Sequence, residues 1–292
     1  MKSVQLKANV LSLLILVLFL SIWFVSTLSP SSNNGGNAAD SGLANMTPEQ
    51  IEYQKLMGKD LGAQKSTGFP TPVQMFKAVV KQLSDPFYDN GPNDKGVVLQ
   101  LGYSLLRVGL GFFLASIIAI PLGFMIGTSP LLFKALDPFI QILKPISPLA
   151  WMPLALYTIK DSAQSGIFVI FICSIWPMLI NTAFGVSSVK KDWLNVASTL
   201  EVSPFRKAFF VILPAAAPTI LTGMRISMGI AWLVIVAAEM LVGGTGIGYF
   251  LWNEWNNLSL TSVIFSVLLI GIVGMLLDKC FAQLQRWVTY VE

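Results

Sequence analysis

The chain has 292 residues, of which 54% are apolar and 12% charged, and it carries a net charge of +4. Soluble domains run near 45–50% apolar and about 25% charged, so much of this chain must face lipid or an intramembrane core, and an all-α polytopic membrane protein is expected. Histidine is absent, which removes the usual general base and metal ligand; Cys173 and Cys280 lie within or at the end of apolar runs, giving neither a disulfide framework nor a zinc site. The positive charges are dispersed and no nucleic-acid motif accompanies them.

About 20 apolar residues of helix cross a hydrocarbon core. Val10–Leu28 is the first such run. It is too long for a signal-peptide core, and no Ala-x-Ala site follows Leu28, so it is read as a retained span forming an N-terminal segment, 1–28. Residues 29–66 are rich in Ser, Asn, Gly and Asp and have little to bury. They are expected to form a tether within an external linker, 29–96. Thr47-Pro48-Glu49-Gln50 and Thr71-Pro72-Val73-Gln74 both match a capping box with proline at the first helical position. The second opens an amphipathic stretch with Val73, Phe76, Val79, Val80 and Leu83 at helical spacing, expected to lie on the outer membrane surface.

The core, 97–288, holds five further runs. Val108–Ile126 is preceded by Gln100–Arg107; Phe139–Ile159 is broken by Lys144, Pro145, Pro148 and Pro153; Ser165–Val186 has no charge; the last two run from about Pro218 to Val242 and from Leu258 to Leu277. About six spans put both termini on one side. Lys2, Lys7, Lys134, the 190–207 basic group, Lys279 and Arg286 share that side, which the positive-inside bias makes cytoplasmic. Gly123 and Gly127 form a small-xxx-small pair suited to close helix packing.

Between two spans lies a polar, partly basic loop, 190–214. It is expected to form two short surface helices, the first capped by Asp192 and the second by Ser203 with Pro204 at its first position, and Leu213-Pro214 is expected to close it. Gly244-Thr245-Gly246-Ile247-Gly248 follows a membrane helix rather than a strand and lacks a Lys-Ser/Thr pair, so it is a turn requiring positive φ, not a phosphate loop. The tryptophans are read as interface anchors or core.

The charges inside spans are Arg107 and Glu239 in the outer thirds and Lys144 and Arg225 in the inner thirds. Such charges are normally paired or line a polar path. Three cations to one acid favour a path for a small anion, and Arg107 with Glu239 at similar depth is expected to form an ion pair. Lys144 and Arg225 also lie close enough to the surface to snorkel.

The 190–214 loop resembles the EAA loop of ATP-binding-cassette importer permeases. Asn195-Val196-Ala197 stands where that family usually has Glu-Ala-Ala and Glu201 where it usually has Gly, while TGMRISMGIAWLVIVAAEM at 222–240 matches. From about Phe69 to Lys279 the chain is similar to the permeases for nitrate, bicarbonate, cyanate and organic sulfonates. The matching segments include Phe69-Pro70-Thr71-Pro72, Ser104-Leu105-Leu106-Arg107-Val108, Leu136-Asp137-Pro138-Phe139 and Ile146-Ser147-Pro148-Leu149-Ala150-Trp151-Met152-Pro153-Leu154. The stretch from Asp85 to Gly96 is most similar to the nitrate and bicarbonate members.

The resemblance implies a type I importer permease in a bacterial inner membrane, with a second copy of the chain, two cytoplasmic ATPase subunits and an external anion-binding protein. Asn195, Ala197, Glu201, Ser203, Pro204, Phe205 and Arg206 would then contact the ATPase. No catalytic residue, metal or cofactor is expected in this chain, ATP-Mg belonging to the partner subunits. Nitrate is the expected cargo, with bicarbonate, cyanate or a sulfonate as alternatives. A stand-alone secondary transporter or channel would call for inverted repeats that the sequence does not display, and a membrane enzyme would call for a catalytic constellation.

Overall fold

The computed structural model describes residues 2–27, 69–91 and 94–288, which are helical almost throughout. The capping box at 47–50 and the 29–66 tether lie outside them. Contacts divide the chain into two units, 1–80 and 81–292.

In the first unit, helix α1 (Lys2–Thr27) is apolar on every side, and its 18-residue apolar window is wholly unburied. Only lipid or another apolar surface satisfies such a helix. Near its end the Trp23 indole N–H donates to the Pro70 carbonyl at 3.1 Å, and the Trp23 and Phe69 rings meet edge to face. Helix α2 (Pro72–Ser84) starts with the expected reciprocal box: the Gln74 amide donates to Thr71 Oγ1 at 3.3 Å and the Thr71 amide to Gln74 Oε1 at 2.9 Å. Val73, Phe76, Val80 and Leu83 remain exposed along it.

The second unit begins with a short turn. Asp89 and Lys95 face each other as an isolated bridge, with Lys95 Nζ 2.7 Å from Asp89 Oδ2. That hydrogen bond holds the Asp89 carboxyl below its ordinary value. Helices α3 (Val97–Thr128), α4 (Pro130–Leu143), α5 (Pro148–Ile159) and α6 (Ser162–Ser187) follow. Next come α7 (Lys191–Thr199), α8 (Pro204–Lys207), α9 (Leu213–Val242), α10 (Ile247–Asn256) and α11 (Leu260–Val288).

The core is α6 packed against α3 on one side and α9 on the other. Glycine makes this possible. A Cβ at Gly123 would lie 2.7 Å from the Leu179 carbonyl oxygen, and one at Gly127 2.5 Å from that of Ala183, so the expected small-residue pair is where α3 touches α6. Gly223 does the same for α9, since a Cβ there would approach Asn181 Cβ at 2.6 Å. Ile170, Met178 and Thr182 are fully buried along the seam.

Five helices of the described residues are long and apolar enough to cross a membrane. The run at 139–159, expected as a broken span, is an α4–α5 pair bent by 91°. The cause is local: Lys144 ends α4, Pro145 cannot donate the next helical bond, and Pro148 restarts the helix at its first position. Two further expectations are corrected. Lys190, not Asp192, occupies the cap position of α7, leaving Asp192 in the first turn, where its charge still complements the helix dipole. Leu213-Pro214 does not close the loop, because α8 runs through a five-residue π turn, Ala208–Ile212, straight into α9. Pro214 lacks the N–H that an α-helix would direct at the Phe210 carbonyl, and the wider turn accommodates that loss.

Candidate functional site: the 190–214 loop, a buried clamp and the bend cavity

Three places collect the residues singled out by the sequence. The first is the 190–214 loop. Ser203 holds the cap position of α8 with Pro204 at the first helical position, though the serine side chain makes no capping bond. Ala197 is buried, whereas Asn195, Glu201, Ser203, Pro204, Phe205 and Arg206 are exposed. Helix α7 ends in a two-bond cap: the Val202 amide donates to the Ala197 carbonyl and the Glu201 amide to that of Ser198, both at 3.1 Å. Glu201 sits at the left-handed position of this cap with φ of 52°. Glycine reaches that conformation freely, while a side chain there costs about 1–2 kcal/mol. Beside it Phe205 stacks near Phe209 at 4.6 Å, and Lys207 donates to Ser198 Oγ at 2.9 Å, tying α8 to α7.

The second place is a buried clamp at the opposite end of α9. Gln100, Ser104 and Arg107 recur on one face of α3 and converge on Glu239 and the glycine turn after α9. Arg107 Nη1 lies 2.8 Å from Glu239 Oε1, an ion pair whose acid is almost wholly buried. Ser104 Oγ donates to Glu239 at 2.7 Å and accepts from the Ile247 amide at 2.9 Å. The Gly248 amide donates to Glu239 at 3.0 Å and the Gly246 amide to Gln100 Oε1 at 3.1 Å. Arg107 also donates to the Thr245 carbonyl and hydroxyl. Gly246 has φ of 145° and a Cβ there would collide with the Glu239 carboxylate, so the turn needs glycine twice over. The sequence pairing of Arg107 with Glu239 is present. Gln100, Ser104 and Thr245 were missed, although Gln100, Ser104 and Arg107 form a legible polar stripe at positions i, i+4 and i+7.

The third place is the α4–α5 bend. Here a cavity of about 270 Å³ is lined by residues that include Lys144, Ser147, Trp151, Cys173, Trp176 and Pro177. Lys144 makes no ion pair with any described residue. Arg225 is different. It grips Asp278 with both Nε and Nη2, on a half-exposed surface. Asp278 lies within α11, which continues past Leu277 to Val288, so Arg225 has a carboxylate partner just beyond the apolar run read from the sequence. The structure thus joins Arg107 to Glu239 and Arg225 to Asp278, and leaves Lys144 as the cation beside open space. Among the described residues no cluster of three or more His, Cys, Asp or Glu side chains could hold a metal.

Residues 119–289 match the family model of the binding-protein-dependent transport system inner membrane component. The chain is 44% identical over 228 residues to the nitrate import permease protein NrtB of Synechocystis sp., covering 78% of this chain and 83% of that protein. It is 46% identical over 202 residues to the bicarbonate transport system permease protein CmpB of the same organism, covering 69% and 72%. Among solved structures, a chain of the inward-facing MetNI methionine ABC transporter aligns with a TM-score of 0.60 at 15% identity, covering 66% of this chain and 96% of that one, a likeness of fold.

Proposed function

Because the chain belongs to the family of binding-protein-dependent transport system inner membrane components, we propose that it is the permease through which an ATP-driven importer moves nitrate, a small planar oxyanion, across the inner membrane. As a permease of an ATP-binding-cassette importer it is a multi-pass inner membrane protein that works with ATPase and substrate-binding partners, and hydrolysis lies in the separate ATPase subunits.

The observation that carries the anion reading is Lys144, an ion-pair-free ammonium beside the bend cavity. Moving an anion through an apolar wall needs fixed positive charge. A unit charge about 4 Å away contributes about 4 kcal/mol at an effective dielectric of about 20. Arg107 and Arg225 are neutralised by their partners, so in this reading Arg107 and Glu239 hold the outer turn, Arg225 and Asp278 join two helices, and Lys144 serves the path.

Mechanistically, two copies of the chain enclose the path, with ATP-Mg bound in two cytoplasmic ATPase subunits and a loaded binding protein docked outside. Both termini and the 190–214 loop lie on the cytoplasmic side. ATP closes the ATPases, which press on α7 and α8 through Asn195, Glu201, Ser203, Phe205 and Arg206. Because α8 continues through the π turn into α9, that push reaches a core helix without a flexible joint. Helix rotation opens the path outward, and hydrolysis returns it inward.

Bicarbonate is the second reading, favoured by the 46% identity to a bicarbonate permease. The same donor chemistry would admit it, and importers that take specificity from the binding protein ask little discrimination of the permease.

Lys144→Met in the reconstituted complex tests the path. Assembly and ATPase activity are expected to persist while uptake of labelled nitrate falls about tenfold or more, the equivalent of about 1.4 kcal/mol or more. Unchanged uptake would make Lys144 a snorkelling surface residue.

A further inference from the structure

The bend cavity contains more than a lysine. Trp151 on α5 and Trp176 on α6 are half-buried in its wall, and neither indole N–H donates to any acceptor among the described residues. This departs from how the chain treats two other indoles: Trp23 donates to the Pro70 carbonyl and Trp232 to the Ile270 carbonyl at 3.0 Å. A tryptophan that is partly buried normally finds an acceptor for its single donor. The Ser147 hydroxyl, at the cap position of α5, likewise makes no hydrogen bond to any described residue.

The residues lining the cavity therefore include Lys144, Trp151, Trp176, Ser147 and Cys173, each of which carries a side-chain donor. No carboxylate or amide side chain lines it. We infer that Trp151 and Trp176, with Lys144, form an oxyanion-binding station in the membrane, in which the indole N–H groups donate to the anion's oxygens and the ammonium offsets its charge.

Such a set is selective by chemistry. A lysine ammonium and two indole donors, with no carboxylate to balance them, favour a species with accepting oxygens over a cation, and a space of about 270 Å³ holds an anion of a few heavy atoms with room for water. Trp151 lies near the start of α5 and Trp176 within α6, so a movement of one helix against the other would change the spacing of the two indoles. A station that loosens in one state is what a transported ion needs, since it must leave as readily as it enters. The tryptophans were read from the sequence as anchors or core; nothing in one sequence shows two of them converging with Lys144, because α5 and α6 meet only in three dimensions.

This inference rests on the proposed oxyanion import, and the experiment separates the two. The complete complex is labelled with 5-fluorotryptophan, the resonances of Trp151 and Trp176 are assigned by their loss in Trp151→Phe and Trp176→Phe, and sodium nitrate is titrated in detergent without binding protein. Sodium chloride at equal ionic strength, which has no oxygens and no fluorine, is the control. Both resonances are expected to shift saturably with nitrate and to lose the shift in Lys144→Met. In proteoliposomes, each Trp→Phe change keeps an aromatic ring while removing the donor, and is expected to lower labelled nitrate uptake about tenfold, the scale of one hydrogen bond to a charged group, with ATPase activity retained. Resonances that do not move with nitrate, or uptake unaltered in both variants, would overturn the station even if the unmodified complex imports nitrate. Failure of the unmodified complex to import any small oxyanion would instead overturn the reading beneath it.

Discussion

Glu239→Gln is expected to deplete folded protein from the membrane, and the double change Arg107→Gln/Glu239→Gln is expected to be milder than the two single effects combined. Glu239 receives donors from Ser104, Arg107 and the Gly248 amide within a buried site. Neutralising it leaves the Arg107 guanidinium without a counter-charge and the Gly248 amide with a weaker acceptor. Breaking a buried pair from one side costs about 3–5 kcal/mol, whereas removing both charges avoids the orphan. An order of severity follows. Arg107→Gln should be the gentler single change, because Glu239 keeps Ser104 and Gly248. Thermal unfolding of the purified variants, read beside membrane abundance, measures the coupling. Additive losses would mean that the clamp is not a unit.

Arg206→Glu is expected to abolish coupled transport without unfolding the helices. Arg206 is exposed, contacts no described acid, and stands beside Phe205 and the strained Glu201 on the loop assigned to the ATPase. Reversing a charge on an interface costs several kcal/mol through like-charge juxtaposition, while an exposed substitution away from structural features shifts folding by about 0.5 kcal/mol or less. Uptake should therefore fall more than tenfold with the melting temperature unchanged, and either the ATPase subunit should dissociate or hydrolysis should continue without uptake. Normal coupled transport by this variant would remove the loop from the interface.

The membrane class, the core helices, the α2 capping box, the glycine seam and the Arg107–Glu239 pair were all legible in the sequence. They rest on hydrophobic length, local capping chemistry and the cost of charge in lipid, which act on residues without reference to distant partners. Belonging to the same family as transport permeases follows from the segments around 69–72, 104–108 and 146–154 together with the 222–240 match. What escaped depended on the third dimension or on the backbone. The continuity of α8 with α9 was hidden because Leu213-Pro214 looks like an ending, while a π turn absorbs the proline. Asp278 fell outside a span drawn by hydropathy alone, so its pairing with Arg225 went unseen. Trp151 and Trp176 look like ordinary interface aromatics until the packing of α5 against α6 shows them lining one cavity with Lys144. Glu201 was legible as a departure from glycine, but its left-handed backbone was not.

The central claim is import of a small oxyanion driven by partner ATPases, with nitrate as the cargo. Its most direct test is uptake of labelled nitrate and labelled bicarbonate into proteoliposomes holding the permease, its ATPase and its binding protein, with and without ATP. ATP-dependent accumulation of nitrate, suppressed by the Arg206→Glu change, is the predicted result; ATP-dependent accumulation of bicarbonate with no nitrate uptake would contradict the cargo, and nitrate flux that proceeds equally without ATP would contradict the importer itself.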